Sequence, residues 1–298
     1  MELVTEPVIK TAQQAKDFCQ LYQQTLRYLD ISNADMEKGE MRCEANVSLQ
    51  ESGKWIYEDG LINPVGDYKL NPKVELKNIN SFKAMERAVN YEIERQSKAI
   101  DKGEKLVQET HGWDENKQKS VSQRVKETSA DYRYFPEPDI PPLDITPEWI
   151  AEIRVRLHEM PAEKIIRFQD QYHFTLETAQ TLVTNKKLAD FTENVITELR
   201  AWVESNGDDW EQQQKQLAKA ASNWLTSELM KYFKNGDTDI ETLKITPENM
   251  AELISLVYQG KINSSAGQSI LEVMVERGGD PTDHMKEMGL EQMDDSAE

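Results

Sequence analysis

The chain has 298 residues, 38% hydrophobic and 30% charged, with a formal net charge of -19; that length allows about two domains, each with a core of its own. The charge excludes sequence-blind binding of nucleic acid over the whole surface, and no apolar run approaches the roughly 18 residues of a spanning helix. Two cysteines, Cys19 and Cys43, make no disulfide framework, and with no basic-then-apolar leader pattern they predict a reduced, cytoplasmic setting away from membranes.

Ala12 to Tyr28 is predicted as a helix, with Ala15, Phe18, Cys19, Tyr22, Leu26 and Leu29 as its apolar stripe. Arg42 to Leu49 and Lys73 to Lys77 alternate with the period of two expected of half-buried strands. Asp59-Gly60 and Gly66-Asp67 mark turns between them. Ser81 is the predicted N-cap of a helix that carries Phe82, Met85, Val89 and Ile93 on one side and stops at Gly103.

Asp131 to Leu143 contains four prolines within residues 136–142, preceded by Tyr132, Arg133, Tyr134 and Phe135. Proline fixes φ and removes a backbone donor, so this segment is a stiff, extended strap that closes the first domain. The aromatics are expected to dock on that domain. Beyond it, Thr146-Pro147-Glu148 and Thr246-Pro247-Glu248 are two helix starts of the same kind. Each has a capping hydroxyl, a first-turn proline and an acid at the positive end of the dipole. Met250, Leu253, Ile254, Val257 and Tyr258 recur at helical spacing up to Gly260, and Ile262, Ala266, Ile270, Val273 and Met274 build the next helix. The expected fold class is α+β. A mixed sheet-and-helix domain spans residues 1–145 and an all-helical domain 146–290; the acidic end, 291–298, is expected to fray.

Charge is uneven: residues 1–145 carry 20 basic and 26 acidic side chains, residues 146–298 carry 15 and 28. One stretch runs the other way, with Lys69, Lys73, Lys77, Lys83 and Arg87 against Glu75 and Glu86, which makes it the local candidate for meeting phosphate. Lys77, Asn78 and Asn80 gather donors where a strand ends and a helix begins. The free first-turn N–H groups after Ser81 add to them. The same asparagines also suit plain turn chemistry. Arg133 either clamps a carboxylate or phosphate or stacks between Tyr132 and Tyr134. There is no Gly-rich phosphate loop, HExxH or CxxC pair. His111, His158, His173 and His284 are scattered and read as structural or exposed.

Five runs stand in fixed order through the first half. They are Met36 to Ser48 (MEKGEMRCEANVS), Lys73 to Phe82 (KVELKNINSF), Tyr91 to Gln96 (YEIERQ), Val107 to Thr110 (VQET) and the strap itself (DYRYFPEPDIPPL). Together they closely resemble the B subunit of the aspartyl/glutamyl-tRNA(Asn/Gln) amidotransferases, and Ser222 to Leu225 with Gly260 to Ile262 fit that family's helical region. The resemblance implies that residues 1–145 are the later part of the family's catalytic cradle domain. The chain would thus be shortened at both ends, lacking the opening strand and the C-terminal tail.

The resemblance implies a ligase reaction. ATP phosphorylates the side-chain carboxylate of a misacylated Glu-tRNA(Gln) or Asp-tRNA(Asn), and ammonia displaces the phosphate. That ammonia comes from glutamine hydrolysed in the family's A subunit. Subunits A and C complete the heterotrimer, and ATP and Mg²⁺ are the cofactors. Phosphoryl transfer needs carboxylates for Mg²⁺ and donors for phosphate oxygens. Within the motifs the acids are Glu2, Glu6, Glu44 and Glu75. The resemblance gives Glu2 a metal role, and Glu6 is placed with it. Glu44, Glu75, Lys77, Asn78, Asn80 and Arg133 are the catalytic candidates, and Lys73, Ser81 and Lys83 the candidates for holding the nucleotide. Two positions depart from the family: Glu44 replaces the usual Asp, and Val8 follows Glu6-Pro7 where Asp is usual. A second reading of the same residues is a non-catalytic tRNA-binding or assembly module that keeps the fold.

Overall fold

A computed structural model describes residues 2–125, 136, 138–234 and 240–291, in two compact units that divide after Leu157. The first unit opens with helix α1 (Ala12–Tyr28), whose N-cap Thr11 and N3 residue Gln14 bond each other's backbone as a capping box. Strand β1 (Cys43–Val47), the pair β2 (Trp55–Glu58) and β3 (Leu61–Pro64), and strand β4 (Val74–Ile79) come next. Helix α2 (Phe82–Asp101) is capped by the Ser81 hydroxyl, which accepts from Ala84 N at 3.0 Å. Strands β5 (Glu109–Asp114) and β6 (Lys119–Val125) complete a four-stranded sheet of order β1-β4-β5-β6. Only the β4–β5 pair in that sheet is parallel, with α2 as its crossover. Asp59 and Gly60 both take positive φ at the β2–β3 turn, which matches the twist of a two-residue hairpin.

The strands alternate in burial. Val74, Leu76 and Ile79 of β4 are buried in one core with Cys19 and Leu26 of α1, Met85, Ala88 and Val89 of α2, and Trp113 of β5. Glu75 and Lys77, one residue out of step with them, are half-exposed. On α2 the fully buried stripe runs Met85, Val89, Glu92, Gln96 and Ala99, while Phe82 and Ile93 of the predicted face are partly buried and pack against the same core. Two polar side chains therefore occupy core positions, and they find partners there.

Cys19 and Cys43 are both free and both buried in this core. The neighbouring Cys43, and then burial, pushes the Cys19 thiol up in pKa, while Cys19 pulls Cys43 down. Helix α3 (Pro147–Arg156), with Thr146 as its cap, falls in the first unit and buries none of its residues. Residues 131–135 and 137 of the strap lie outside the described residues, as do 126–130 before it, and so does the expected docking of Tyr132, Tyr134 and Phe135. Ile140 and Leu143, further along, are exposed.

The second unit is helical throughout its described residues: α4 (Pro161–Tyr172), α5 (Leu176–Val183), α6 (Lys186–Ser205), α7 (Trp210–Asn223), α8 (Met230–Lys234), α9 (Pro247–Tyr258), α10 (Ser264–Arg277) and α11 (Pro281–Met288). A π-helical stretch, Trp224–Leu229, joins α7 to α8, a widened turn of the kind common at functional positions. Thr246 caps α9, accepting from Asn249 N at 3.2 Å. Met250, Leu253 and Ile254 are fully buried on α9, whereas Tyr258 sits at the rim and its hydroxyl donates to Gln216 Oε1 at 3.1 Å. Gly267 of α10 is a forced choice, since a Cβ there would come within 2.8 Å of Trp224 Cη2 and 2.9 Å of Val257 Cγ2. Lys164 of α4, only 7% exposed, reaches Asp190 at 3.0 Å and Glu193 at 2.7 Å on α6. Its neighbour Arg167 grips Glu159 and Glu193. Among the described residues no helix is long and apolar enough to cross a membrane.

Candidate active site

Glu44, Glu75 and Lys77 come together on the sheet surface opposite the one that packs on α1 and α2. Lys77 Nζ lies 3.1 Å from Glu44 Oε1 on β1 and 3.7 Å from Glu75 Oε1 on its own strand. Two carboxylates thus share one ammonium. Glu75 is held from the other side by Thr110, opposite it across the parallel pair, whose hydroxyl donates to Glu75 Oε2 at 2.8 Å. Thr110 is buried, so its hydroxyl has little competition from water. The cluster is partly open: the Lys77 and Glu44 side chains are 38% and 43% exposed and Glu75 17%.

A defect in the β1–β4 ladder shapes this surface. Cys43 pairs with Ile79 but Ala45 with Leu76, so β4 spends one more residue than β1 across the step. Asn78 lies in that step at φ +61, a left-handed conformation asparagine tolerates better than most residues. Its Nδ2 donates to Trp113 O at 3.1 Å, so the amide secures β4 to β5. Ser81 spends its hydroxyl on the α2 cap. Asn80 and Lys83 are exposed around this end of β4 and the start of α2, Lys73 is exposed at the opposite end of β4, just before Val74, and Arg133 lies outside the described residues.

The two metal candidates stand apart from the cluster. Glu2 is exposed, and Glu6 accepts from the Tyr57 hydroxyl with its carboxylate against Gly60 of the β2–β3 turn. Among the described residues no group of three His, Cys, Asp or Glu side chains comes together to hold a metal ion. The described residues do not assemble a Mg²⁺ site by themselves.

Beneath the sheet lies a buried polar network that motif reading did not find. Glu92 of α2, fully buried, takes Arg95 Nε at 2.9 Å, Arg95 Nη2 at 2.7 Å and Gln96 Nε2 at 2.8 Å. Gln96 also clamps the end of β1, donating to Val47 O at 3.0 Å and accepting from Leu49 N at 3.0 Å. His111 is buried between Ser120 Oγ at 3.0 Å and Glu109 Oε2 at 2.9 Å. Ser122 Oγ, then His111 and Arg95, hold the Glu109 carboxyl below the usual glutamate range. The network fixes the strands that carry Glu44 and Thr110. Its signal in the sequence is two polar residues, Glu92 and Gln96, in register with an apolar stripe.

The open sheet surface thus carries one ammonium shared by two carboxylates, with a buried hydroxyl against one of them. The family model described as the GatB/GatE catalytic domain matches residues 1–151, and one described as the GatB domain matches residues 208–298. The chain belongs to the GatB/GatE catalytic domain family. It is 34% identical over 298 residues to the B subunit of the aspartyl/glutamyl-tRNA(Asn/Gln) amidotransferase of Crocosphaera subtropica, covering 100% of this chain and 54% of that protein. The B subunits of the same name from Dehalococcoides mccartyi and Thermosipho melanesiensis are 38% and 39% identical, with 57% and 56% of their lengths covered by 100% and 99% of this chain. The chain thus spans about half the length of the curated relatives it matches.

Proposed function

We propose that this chain is the amidation part of the B subunit of a tRNA-dependent amidotransferase, with residues 1–145 as the catalytic portion and 146–290 as a helical domain. It acts in the cytoplasm with subunits A and C on misacylated Glu-tRNA(Gln), Asp-tRNA(Asn) or both. The observation that carries the reading is the Glu44–Lys77–Glu75 cluster on an open sheet surface, inside the stretch that matches the catalytic domain. Lys77 supplies a positive charge held at a fixed place by two carboxylates. There it is preorganised to meet a phosphate oxygen or the acyl-phosphate that forms on the substrate carboxylate. Thr110 holds Glu75 in place through its hydroxyl. Asn80 and Lys83 offer further donors around the start of α2, where Asn78 and Ser81 keep the junction in shape, and Lys73 offers one at the opposite end of β4.

ATP and Mg²⁺ are the cofactors this reading calls for. The metal roles assigned to Glu2 and Glu6 need ligands beyond the described residues. The test is ATP-dependent formation of Gln-tRNA(Gln) or Asn-tRNA(Asn) from the misacylated species. The 298-residue chain alone is expected to give none. A protein of its relatives' length carrying this sequence, assembled with subunits A and C, is expected to turn over. Tight tRNA binding by that complex with no amide product would favour the non-catalytic module instead.

A further inference from the structure

Gly112 of β5 stands opposite Lys77 across the parallel β4–β5 pair. Thr110, two residues back, bonds Glu75 on the open sheet surface, so position 112 faces that surface too. Gly112 has no side chain there, yet it is buried. Its cover is the end of an exposed side chain on β6: a Cβ on Gly112 would come within 2.4 Å of Gln123 Nε2, 3.0 Å of Gln123 Cδ and 3.6 Å of Gln123 Cγ. The backbone does not ask for glycine, since Gly112 does not take a positive φ; the glutamine does. Gln123 is also the extra residue of a bulge. Thr110 pairs with Arg124 but His111 with Ser122, so β6 spends one more residue than β5 across that step, and a bulge re-aims the side chain it carries. With the sheet ordered β1-β4-β5-β6, the open surface carries Glu44, then Lys77, then the Gln123 carboxamide. That carboxamide lies over the strand next to Lys77, one strand spacing or about 4.8 Å away.

We propose that Gln123 is a substrate-binding residue of the candidate site, its carboxamide donating a hydrogen bond to the side-chain carboxyl group of the misacylated tRNA that Lys77 is set to meet. The inference rests on the amidotransferase reading and adds to it a residue outside the charged cluster. A carboxylate has two oxygens and about four lone-pair sites, so it can take the Lys77 ammonium on one oxygen and the Gln123 amide on the other. The carboxamide is neutral, so it supplies a donor beside Glu44 and Glu75 without being drawn into an ion pair with them. It also suits the other end of the reaction. The amide product carries an NH₂ group, for which Gln123 Oε1 is an acceptor. Gly112 is then a positioning residue, acting through the space it leaves for the glutamine.

The experiment is steady-state kinetics of ATP-dependent amidation by the full-length protein in complex with subunits A and C. The misacylated tRNA that the complex turns over, Glu-tRNA(Gln) or Asp-tRNA(Asn), is varied. Gln123→Leu removes the carboxamide at nearly constant size, whereas Gly112→Ala keeps it and pushes it from its place. Each is expected to lower kcat/KM about tenfold, chiefly through KM, as when one hydrogen bond to a charged group is lost from binding. Gln123→Glu, of the same shape but with the substrate's own sign of charge, should raise KM further. The double variant of Gln123→Leu and Gly112→Ala should be no worse than either single one, because both remove the same bond; a merely structural role would give additive losses. Gln123 is exposed, so its variants are expected to melt close to the wild-type temperature. A wild-type KM in Gln123→Leu, or additive losses in the double variant, would overturn the proposal, and with Lys77→Met still inactive the reading of the site would stand. No turnover by the wild-type complex, or wild-type turnover by Lys77→Met, would bring down that reading and this inference with it.

Discussion

Lys77 and Glu44 face each other across the β1–β4 pair, 3.1 Å from Nζ to Oε1, at the step where that pair's register shifts. The two side chains belong to strands separated by the β2–β3 hairpin, and only the ladder brings them together. Both are more than a third exposed, so the pair contributes at most about 1 kcal/mol to folding. Its value to the molecule lies in where it holds a positive charge.

Asn78→Val should destabilise the first unit. A β-branched residue at φ +61 is strained, and the bond from Asn78 Nδ2 to Trp113 O is lost. We expect a loss of about 2 kcal/mol in denaturant unfolding, with Asn78→Gly recovering part of it. Equal stability of the valine and wild-type chains would show that the left-handed step is not held as described.

Gln96→Leu should cost about 2–3 kcal/mol, because Val47 O and Leu49 N lose their Gln96 partner in a partly buried site and Glu92 Oε1 keeps only Arg95. Hydrogen exchange should quicken at the end of β1 more than in α2 itself. Uniform quickening throughout the unit would argue for simple global destabilisation.

Leu253→Asp should collapse the helical unit. The side chain is fully buried, and an unpaired carboxylate there costs several kcal/mol. A melting temperature close to that of the wild type would place this surface of α9 outside the core.

Acid should weaken the Glu159–Arg167 pair, which ties the residues just before α4 to that helix, in a defined direction. Arg167, as hydrogen-bond partner and then as charge, holds the Glu159 carboxyl below the ordinary glutamate value of 4.5. A carboxyl with a depressed folded pKa contributes stability above its unfolded pKa and loses it as pH falls through the folded one. Thermal melts from neutral pH down through 4.5 should therefore fall more steeply for the wild type than for Arg167→Met, which lacks that linkage. Parallel curves would mean the pair adds nothing to the acid limb.

Much of this fold is legible in residue patterns. The caps at Ser81, Thr146 and Thr246 and the stripe of α1 stand where the rules for helix starts and apolar spacing put them. Strands β5 and β6 leave no such trace. Thr110, His111 and Gly112 are all buried, so β5 shows no alternation of apolar and polar residues. Its parallel partnership with β4 is set by the α2 crossover, which is a matter of topology and not of local pattern. The site divides in the same way. Glu44, Glu75 and Lys77 lie in recognisable motifs, and their contact follows from strand register. Thr110 is an ordinary motif residue until the sheet places it opposite Glu75. His111, Glu92 and Gln96 give no signal as single residues, because burial belongs to the faces they share.

That the open sheet surface around Lys77 is the working part of an amidotransferase B subunit is tested most directly by Lys77→Met. The variant is compared with the wild type in the full-length protein, in complex with subunits A and C, by following ATP-dependent Gln-tRNA(Gln) formation from Glu-tRNA(Gln). A melting temperature little changed, with the turnover rate down by about a hundredfold or more, is the predicted result, as expected when a preorganised charge is removed from a reaction that develops negative charge. Turnover equal to the wild type in a folded, assembled Lys77→Met complex would contradict it.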